Sequence, residues 1–600
     1  MKSRVVALRP PVRRRANVIV VAGPAGRDRT GCSGCPRAVM AAVSVAAGML
    51  IAAPAARAET YAWVGPTAGA TSALPSGGSW TNAVGTNVWA TGTAALSAAA
   101  PADTNTIPTG DVATVLSFGG SGSGSTAYTA NDNINSDLTL NQLINNNSQN
   151  SGGAIAQVLG NTGAASTRLV FVANGATGPT VTNTGTANIG INIPVLMNTT
   201  LTGNGATASG LTQFNGVVSG TGNFVVAGTN SSSRFDLTNA NTFTGGTTND
   251  ITNVTVTLTR GQVLAGRSGA AVVGGTIANG PFGTGTFLIN TAAGATTLVR
   301  ATTNGQFTLA NPVTLGGDVT IGSNTAGTNP TTLTFTGPVT ITGATRTLSI
   351  QGQYSTGSAL NGDQTFAGAI GDGGSGLGLI KAGPAVLTMS GAASNTYTGT
   401  TTVNSGVLAL GKTGGATAIA AGALNVGDNS TTGNTLSAKD ELQYRQSNQL
   451  GDAVAVTLNG ALLNLNNQSE GTAATAGAGP LTSQNASVVD FGSGSASVLH
   501  FADSSGRTWS GTLQVLRWAG DVGGGTGDQL LFGTSVAGLT TGQLSRVSFV
   551  DPVGLAAGTY AAQILPTGEV VPVPEPTTVG LAAATAAAGL FARRRRTAGR

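Results

Sequence analysis

Residues 378–410, GLIKAGPAVLTMSGAASNTYTGTTTVNSGVLAL, alternate apolar and small polar side chains in short runs that break at Gly, Pro and Asn. Leu379 and Lys381 alternate with Ile380, Val386 and Thr388 alternate with Leu387 and Met389, and Asn404-Ser405-Gly406 leads into Val407-Leu408-Ala409-Leu410. A strand turns successive side chains to opposite faces, and Gly or Asn accepts the positive φ of a tight corner. The stretch therefore predicts strands joined by corners. Three such runs fit within it, and it has about the size of one solenoid coil, whose repeats run at roughly 20–50 residues.

The pattern recurs upstream in the same order. Phe214-Asn215-Gly216-Val217-Val218-Ser219-Gly220 is echoed by Phe366-Ala367-Gly368-Ala369-Ile370-Gly371, and Gly222-Asn223-Phe224-Val225-Val226-Ala227-Gly228 by Gly378-Leu379-Ile380-Lys381-Ala382-Gly383. Asn241-Thr242-Phe243-Thr244-Gly245 is echoed by Asn395-Thr396-Tyr397-Thr398-Gly399. Three ordered matches are hard to reach through composition alone, even in a chain with 91 glycines among 600 residues. Charged residues make up 8% and aromatics 4%, so a core must be built from Val, Leu, Ile and Ala. Stacked β-coils use this mixture well, because neighbouring coils satisfy each other's backbone while Thr faces water.

The two ends distort the overall charge. The body, residues 59–576, holds 13 basic against 22 acidic residues, a net charge of −9, although the whole chain is +5. An acidic body with no basic patch repels phosphate backbones, so no nucleic-acid partner is expected. Residues 1–58 read as an export signal with an extended basic n-region: Arg13, Arg14, Arg15 and Arg37 precede an apolar run at 38–53, and Ala56-Arg57-Ala58 offers signal peptidase a small-x-small site before Glu59. The true translation start is open, with Met40 an alternative. Cys32 and Cys35 form a C-x-x-C inside this leader and leave with it, so no disulfide or thiolate metal site is expected in the body.

Residues 59–151, with Trp63, Trp80 and Trp89, read as an N-terminal β cap; a sugar-stacking platform is the alternative use of those rings. Residues 152–436 read as the repeat region and 437–571 as a C-terminal β region. The motif carried by Gly378, Lys381, Gly383, Asn395, Tyr397, Gly399 and Gly406 resembles the autotransporter-associated β-strand repeat of bacterial surface passengers. That resemblance implies an all-β fold, a right-handed parallel β-helix. The upstream copy departs from the motif at Val226, which stands where Lys381 stands, and it lacks the T-x-V-x-x-G-x-L tail. No stretch resembles a translocator barrel, so secretion through an attached barrel is not expected. The region around Asp490-Phe491-Gly492, residues 523–530 and Gly568-Glu569-Val570-Val571-Pro572 resembles the segment that commonly precedes the tail described next.

Residues 572–600 resemble the PEP-CTERM sorting signal: Pro574-Glu575-Pro576, an apolar run, then Arg593-Arg594-Arg595-Arg596. The resemblance implies recognition and processing by an exosortase in the membrane of a Gram-negative bacterium. The single transmembrane segment expected at 577–592 has 16 residues, short of the roughly 20 that span comfortably, which suits a transient anchor. The arginines hold its end in the cytoplasm.

Catalytic chemistry is sparse. His500 is the one histidine and sits in an alternating strand context, Val498-Leu499-His500-Phe501, where a satisfied strand residue is expected. Asp490, Asp503, Asp521 and Asp528 supply carboxylates but no compact acidic cluster, whereas glycoside hydrolysis needs two at a fixed separation. Residues 523–530 miss a calcium nonapeptide by one position, and no P-loop or dinucleotide fingerprint occurs. The expectation is a non-enzymatic, cofactor-free exported protein of the cell envelope, surface or extracellular matrix, structural or adhesive, with extracellular polysaccharide as partner. The alternative is a polysaccharide lyase or glycoside hydrolase on the same scaffold.

Overall fold

Most strands of the repeat region hydrogen-bond in parallel to the strand one coil before and the strand one coil after, while Gly246–Thr248 and the pair Val272–Val273 and Thr276–Ile277 bond antiparallel. The computed structural model describes residues 59–63, 78–79 and 89–91, and residues 110–574 with gaps at 119–127, 133–135, 147–154, 162–166, 206–209, 228–233, 249–250, 266–271, 274–275, 292–296, 302–304, 323–330, 353–362, 431–439 and 495. All of these belong to the unit Pro54–Arg600. The leader with Ala56 and Ala58, and Glu575, Pro576, the segment 577–592 and Arg593, Arg594, Arg595 and Arg596, lie outside the described residues. Among the described residues no helix is long and apolar enough to cross a membrane.

Three parallel ladders make up most of the fold. One begins at Glu59–Trp63 and runs to Ile370–Gly371. A second runs from Gly78–Ser79 to Leu481–Asn485, and a third joins at Gly305–Leu309 and continues to Val547–Val550. Pairing continues across residues 151–152 and 436–437: Gln142–Asn145 pairs with Thr180–Asn183, and Val407–Lys412 pairs with Glu441–Tyr444. Helix is limited to the 3-10 turn Val536–Gly538 and the short α-helix Thr541–Leu544 among the described residues.

The alternation seen in the sequence becomes a continuous apolar interior. In the third ladder Leu387, Leu408, Leu442, Leu463, Val489, Val515 and Phe549 stack in register, and all are buried. Phe214, Phe224 and Phe235 pack edge to face, with centroids 5.4 and 5.7 Å apart, and Phe335 lies 5.0 Å from Phe366. Because side chains alternate with period two, a one-residue slip would turn this whole set to solvent, and burial therefore pins the register.

Residues 378–410 differ from the single three-stranded coil expected of them. Leu379–Ala382 stacks on Thr401–Val403, and Val386–Gly391 stacks on Val407–Lys412. The stretch thus supplies matching strand pairs to two successive coils. Met389 pairs with Leu410, 21 residues on, whereas Leu143 pairs with Val181, 38 residues on. Alternation marks where strands lie, but the length of the returning loop decides which run stacks on which. Further on, Trp509 and Trp518 lie buried on either side of the strand Leu513–Leu516.

The ladders end in antiparallel pairing. Val547–Val550 pairs with Thr559–Ile564, which pairs with Glu569–Pro572, which in turn pairs with Gln529–Phe532. The last strands of two sheets are thereby bonded through one hairpin, and edges that would otherwise recruit another chain are occupied. At the other end Glu59–Trp63 pairs antiparallel with Trp89–Thr91, Trp63 opposite Trp89; Trp80 lies outside the described residues.

Leu408 is fully buried in the stack, whereas Thr402 is half-buried on the strand before it. Leu408→Ala is expected to cost about 2–5 kcal/mol, as other buried leucine truncations do. Thr402→Ala is expected to stay within about 1 kcal/mol. Urea denaturation followed by circular dichroism checks both.

Candidate functional site

The matched repeat is built around its corners, where carbonyls and N–H groups leave the ladders and need other partners. Lys381 points inward with Leu379 and is 2% exposed. Its strand ends at Gly383, φ +77°, and the next coil turns at Gly406, φ +68°. The Lys381 ammonium donates to the Ser405 carbonyl at 2.6 Å and to the Gly383 carbonyl, tying the two corners together. Burial pushes its pKa down to about 7, against the pull of Asp440 and Asp363. A side chain on Gly383 would run into the backbone of Ile350, and one on Gly406 into that of Pro384.

The second half of the motif closes the opposite corner. Asn395 is buried; its Oδ1 accepts from the Ile370 N–H at 2.9 Å and its Nδ2 donates to the Ala418 carbonyl at 2.7 Å. Tyr397 is buried with its hydroxyl 2.7 Å from Thr401 Oγ1, and burial pushes the phenol up to about 12. A Cβ on Gly399 would overlap the Leu377 backbone, and one on Gly378 the Thr400 carbonyl, so these glycines let successive coils touch. The upstream copy builds the same corner. Asn241 Oδ1 accepts from the Val218 N–H at 2.8 Å, and Phe243 is buried in the place of Tyr397.

Several charged residues complete this framework without standing out in the sequence. Asp372 follows the echoed Ile370-Gly371 directly. Burial works against its charge, but hydrogen bonds from the Leu377 N–H, the Thr398 hydroxyl, and the Gly374 and Thr398 N–H groups hold its pKa down at about 2. Lys412 Nζ donates to the Gly368 carbonyl at 3.0 Å, and burial pushes it down to about 8. Arg445 reaches back over the outer face, to Thr388 Oγ1 at 3.1 Å and to Asp363 at 3.8 Å. Glu470 accepts from the Gln449 and Leu450 N–H groups at 2.8 and 3.1 Å. Burial pushes Glu470 up to about 8, with those hydrogen bonds and Tyr444 working the other way. The one available signal was a buried-strand context around charges in a chain that carries few.

The candidate catalytic groups are engaged in structure. His500 is buried, Nδ1 lying 2.7 Å from the Thr472 carbonyl and Nε2 2.9 Å from the Gly533 carbonyl. Asp490 forms a two-pronged ion pair with Arg517. Asp503 accepts from the Ser505 N–H, Asp521 from the Gly523 N–H, and Asp528 from the Ser497 and Ala519 N–H groups. Among the described residues no group of three His, Cys, Asp or Glu is placed to hold a metal. Of the sorting residues, Pro574 is exposed one residue beyond Val573, whose N–H donates to the Ala561 carbonyl at 2.8 Å.

Glu470 has a folded pKa raised above its ordinary value, so its contribution to stability is full below about pH 4.5 and is lost as pH rises through about 8. Urea midpoints measured from pH 4.5 to 8 are expected to fall with pH, and Glu470→Gln, which keeps an acceptor for Gln449 and Leu450, is expected to flatten that slope.

Comparison with known families matches two segments. Residues 379–410 match the passenger-associated-transport-repeat, and residues 572–596 match the PEP-CTERM protein-sorting motif. No curated protein and no solved structure matches the chain. The first match covers the corner-tied strand pairs described above, and the second begins inside the last strand, Glu569–Pro572. The sorting motif implies export and processing by an exosortase, a membrane protease. The chain is an exported β-repeat protein that carries a passenger-associated-transport repeat and a PEP-CTERM protein-sorting motif.

Proposed function

We propose that this chain is a right-handed β-helix with β caps, exported across the inner membrane of a Gram-negative bacterium, cleaved before Glu59, and delivered to the cell surface or an extracellular polysaccharide matrix. Its tail, 577–592 followed by Arg593 to Arg596, serves as a transient membrane anchor while an exosortase acts at Pro574-Glu575-Pro576. Its work is structural or adhesive and does not involve catalysis. The observation that carries this reading is how the matched repeat uses its polar residues. Lys381 and Asn395, with Asp372 just before the repeat, are spent on joining one coil to the next, Tyr397 is bonded within its own corner, and the half-buried or exposed Thr side chains of the outer faces are what remains for a partner.

Two experiments test it. Replacing Pro574, Glu575 and Pro576 together by Ala is expected to leave the chain at its unprocessed mass and to stop surface delivery; unchanged mass and delivery overturn the sorting role. Incubated with acidic and neutral polysaccharides, the chain recovered from cells is expected to co-sediment with at least one and to release no reducing ends. Turnover abolished by Asp→Asn changes at Asp490, Asp503, Asp521 or Asp528 would establish the enzymatic alternative.

A further inference from the structure

The folded body leaves almost no slack before the tail. Pro572 is still paired with Ala562, and the Val573 N–H still bonds the Ala561 carbonyl. From Val573 to residue 577, where the apolar segment begins, there are four residue steps, at most about 14 Å of extended chain. The surface around Val573 must then lie against whatever receives that segment.

That surface is apolar. The strand Glu569–Pro572 runs antiparallel to Thr559–Ile564, so the chain leaves toward the hairpin loop 551–558, Asp-Pro-Val-Gly-Leu-Ala-Ala-Gly, with Pro574 level with Tyr560. Val553 is 61% exposed and Val573 40%, two of the five most exposed large apolar side chains among the described residues. Leu555 is half-buried, and Ala556 and Ala557 are exposed between them. The loop's one charged residue, Asp551, is exposed at its base, where it accepts from the Gly558 N–H at 2.8 Å. The loop is also held firmly: the Val553 N–H donates to the Trp518 carbonyl at 2.8 Å, and the Tyr560 hydroxyl to the Ala556 carbonyl at 2.7 Å. A firmly held apolar tip whose one carboxylate stands at the loop's base suits the boundary between headgroups and acyl chains, where valine and leucine are buried and a carboxylate stays in water.

We propose that loop 551–558, together with Val573, is a lipid-contacting foot that seats the folded body on the membrane holding its tail. This rests on the reading of 577–592 as a membrane anchor. While the tail is inserted, the short connection and the foot fix the body at the bilayer surface and present Pro574-Glu575-Pro576 at the level of a membrane-embedded protease. Processing removes the tether, and two side chains and a few methyl groups do not hold the body to lipid alone.

The test uses the full chain with Cys32→Ser and Cys35→Ser and a single new cysteine, Val553→Cys, carrying an environment-sensitive fluorophore. It is reconstituted into vesicles of phosphatidylethanolamine and phosphatidylglycerol that include headgroup spin-labelled lipid. Val112→Cys, also exposed in the parent protein but near the opposite end of the stack, is the reference position. The expected result is that the chain floats with vesicles and that the label at residue 553 is blue-shifted and quenched, while the label at 112 is not. Adding Leu555→Asp is expected to reduce the quenching at 553 by about half or more, since the foot then carries an uncompensated charge. A chain that floats with vesicles but shows equal quenching at 553 and 112 overturns the foot and leaves the anchor standing. A chain that does not float overturns the anchor and the foot with it.

Discussion

The backbone ladder between coils is the interaction on which everything else depends. A strand in this chain is three to seven residues long in most cases, far too short to persist alone. It is held because its N–H and C=O groups are satisfied by the coil before and the coil after, along ladders that continue from Glu59 to Val550. Side-chain stacking follows from that register: once Leu387 is above Leu408 and Leu408 above Leu442, the same apolar column is buried at every level.

A parallel ladder cannot satisfy its own corners, and this is where the chain places its scarce polar and charged side chains. Lys381 supplies donors to the corner carbonyls of two coils, Asn395 and Asn241 supply an acceptor to a strand's first N–H, and Asp372 gathers N–H groups from a glycine-rich turn. Burying such groups is costly unless each finds a partner. Their shifted ionisation, with Lys381 near 7 and Glu470 near 8, records that cost. His500 and the four aspartates follow the same economy, each completing a turn or joining two coils.

Ends are the remaining problem for a stacked fold, and the C-terminal end links architecture to delivery. The hairpin that occupies the last sheet edges also contributes the strand in which the sorting motif begins. The folded body and the sorting motif therefore share residues, and the last hydrogen bond of the hairpin, from the Val573 N–H, falls one residue before Pro574.

By itself the sequence determined the kind of structure and the route of the protein. Period-two alternation with glycine punctuation states strands and corners locally, and Pro574-Glu575-Pro576 with its apolar run and arginines states sorting locally, so both are legible without coordinates. The equivalence of Asn241 and Asn395 was legible too, as an echo, though not its meaning. Only the tertiary structure decided that residues 378–410 serve two coils, that Lys381 is buried between corners, and that Asp372, Lys412 and Arg445 fasten separate levels of the stack. The reason is that stacking register depends on the lengths of loops that carry no periodic signal. A charged side chain in a strand also reads the same in sequence whether it faces water or a carbonyl one coil away.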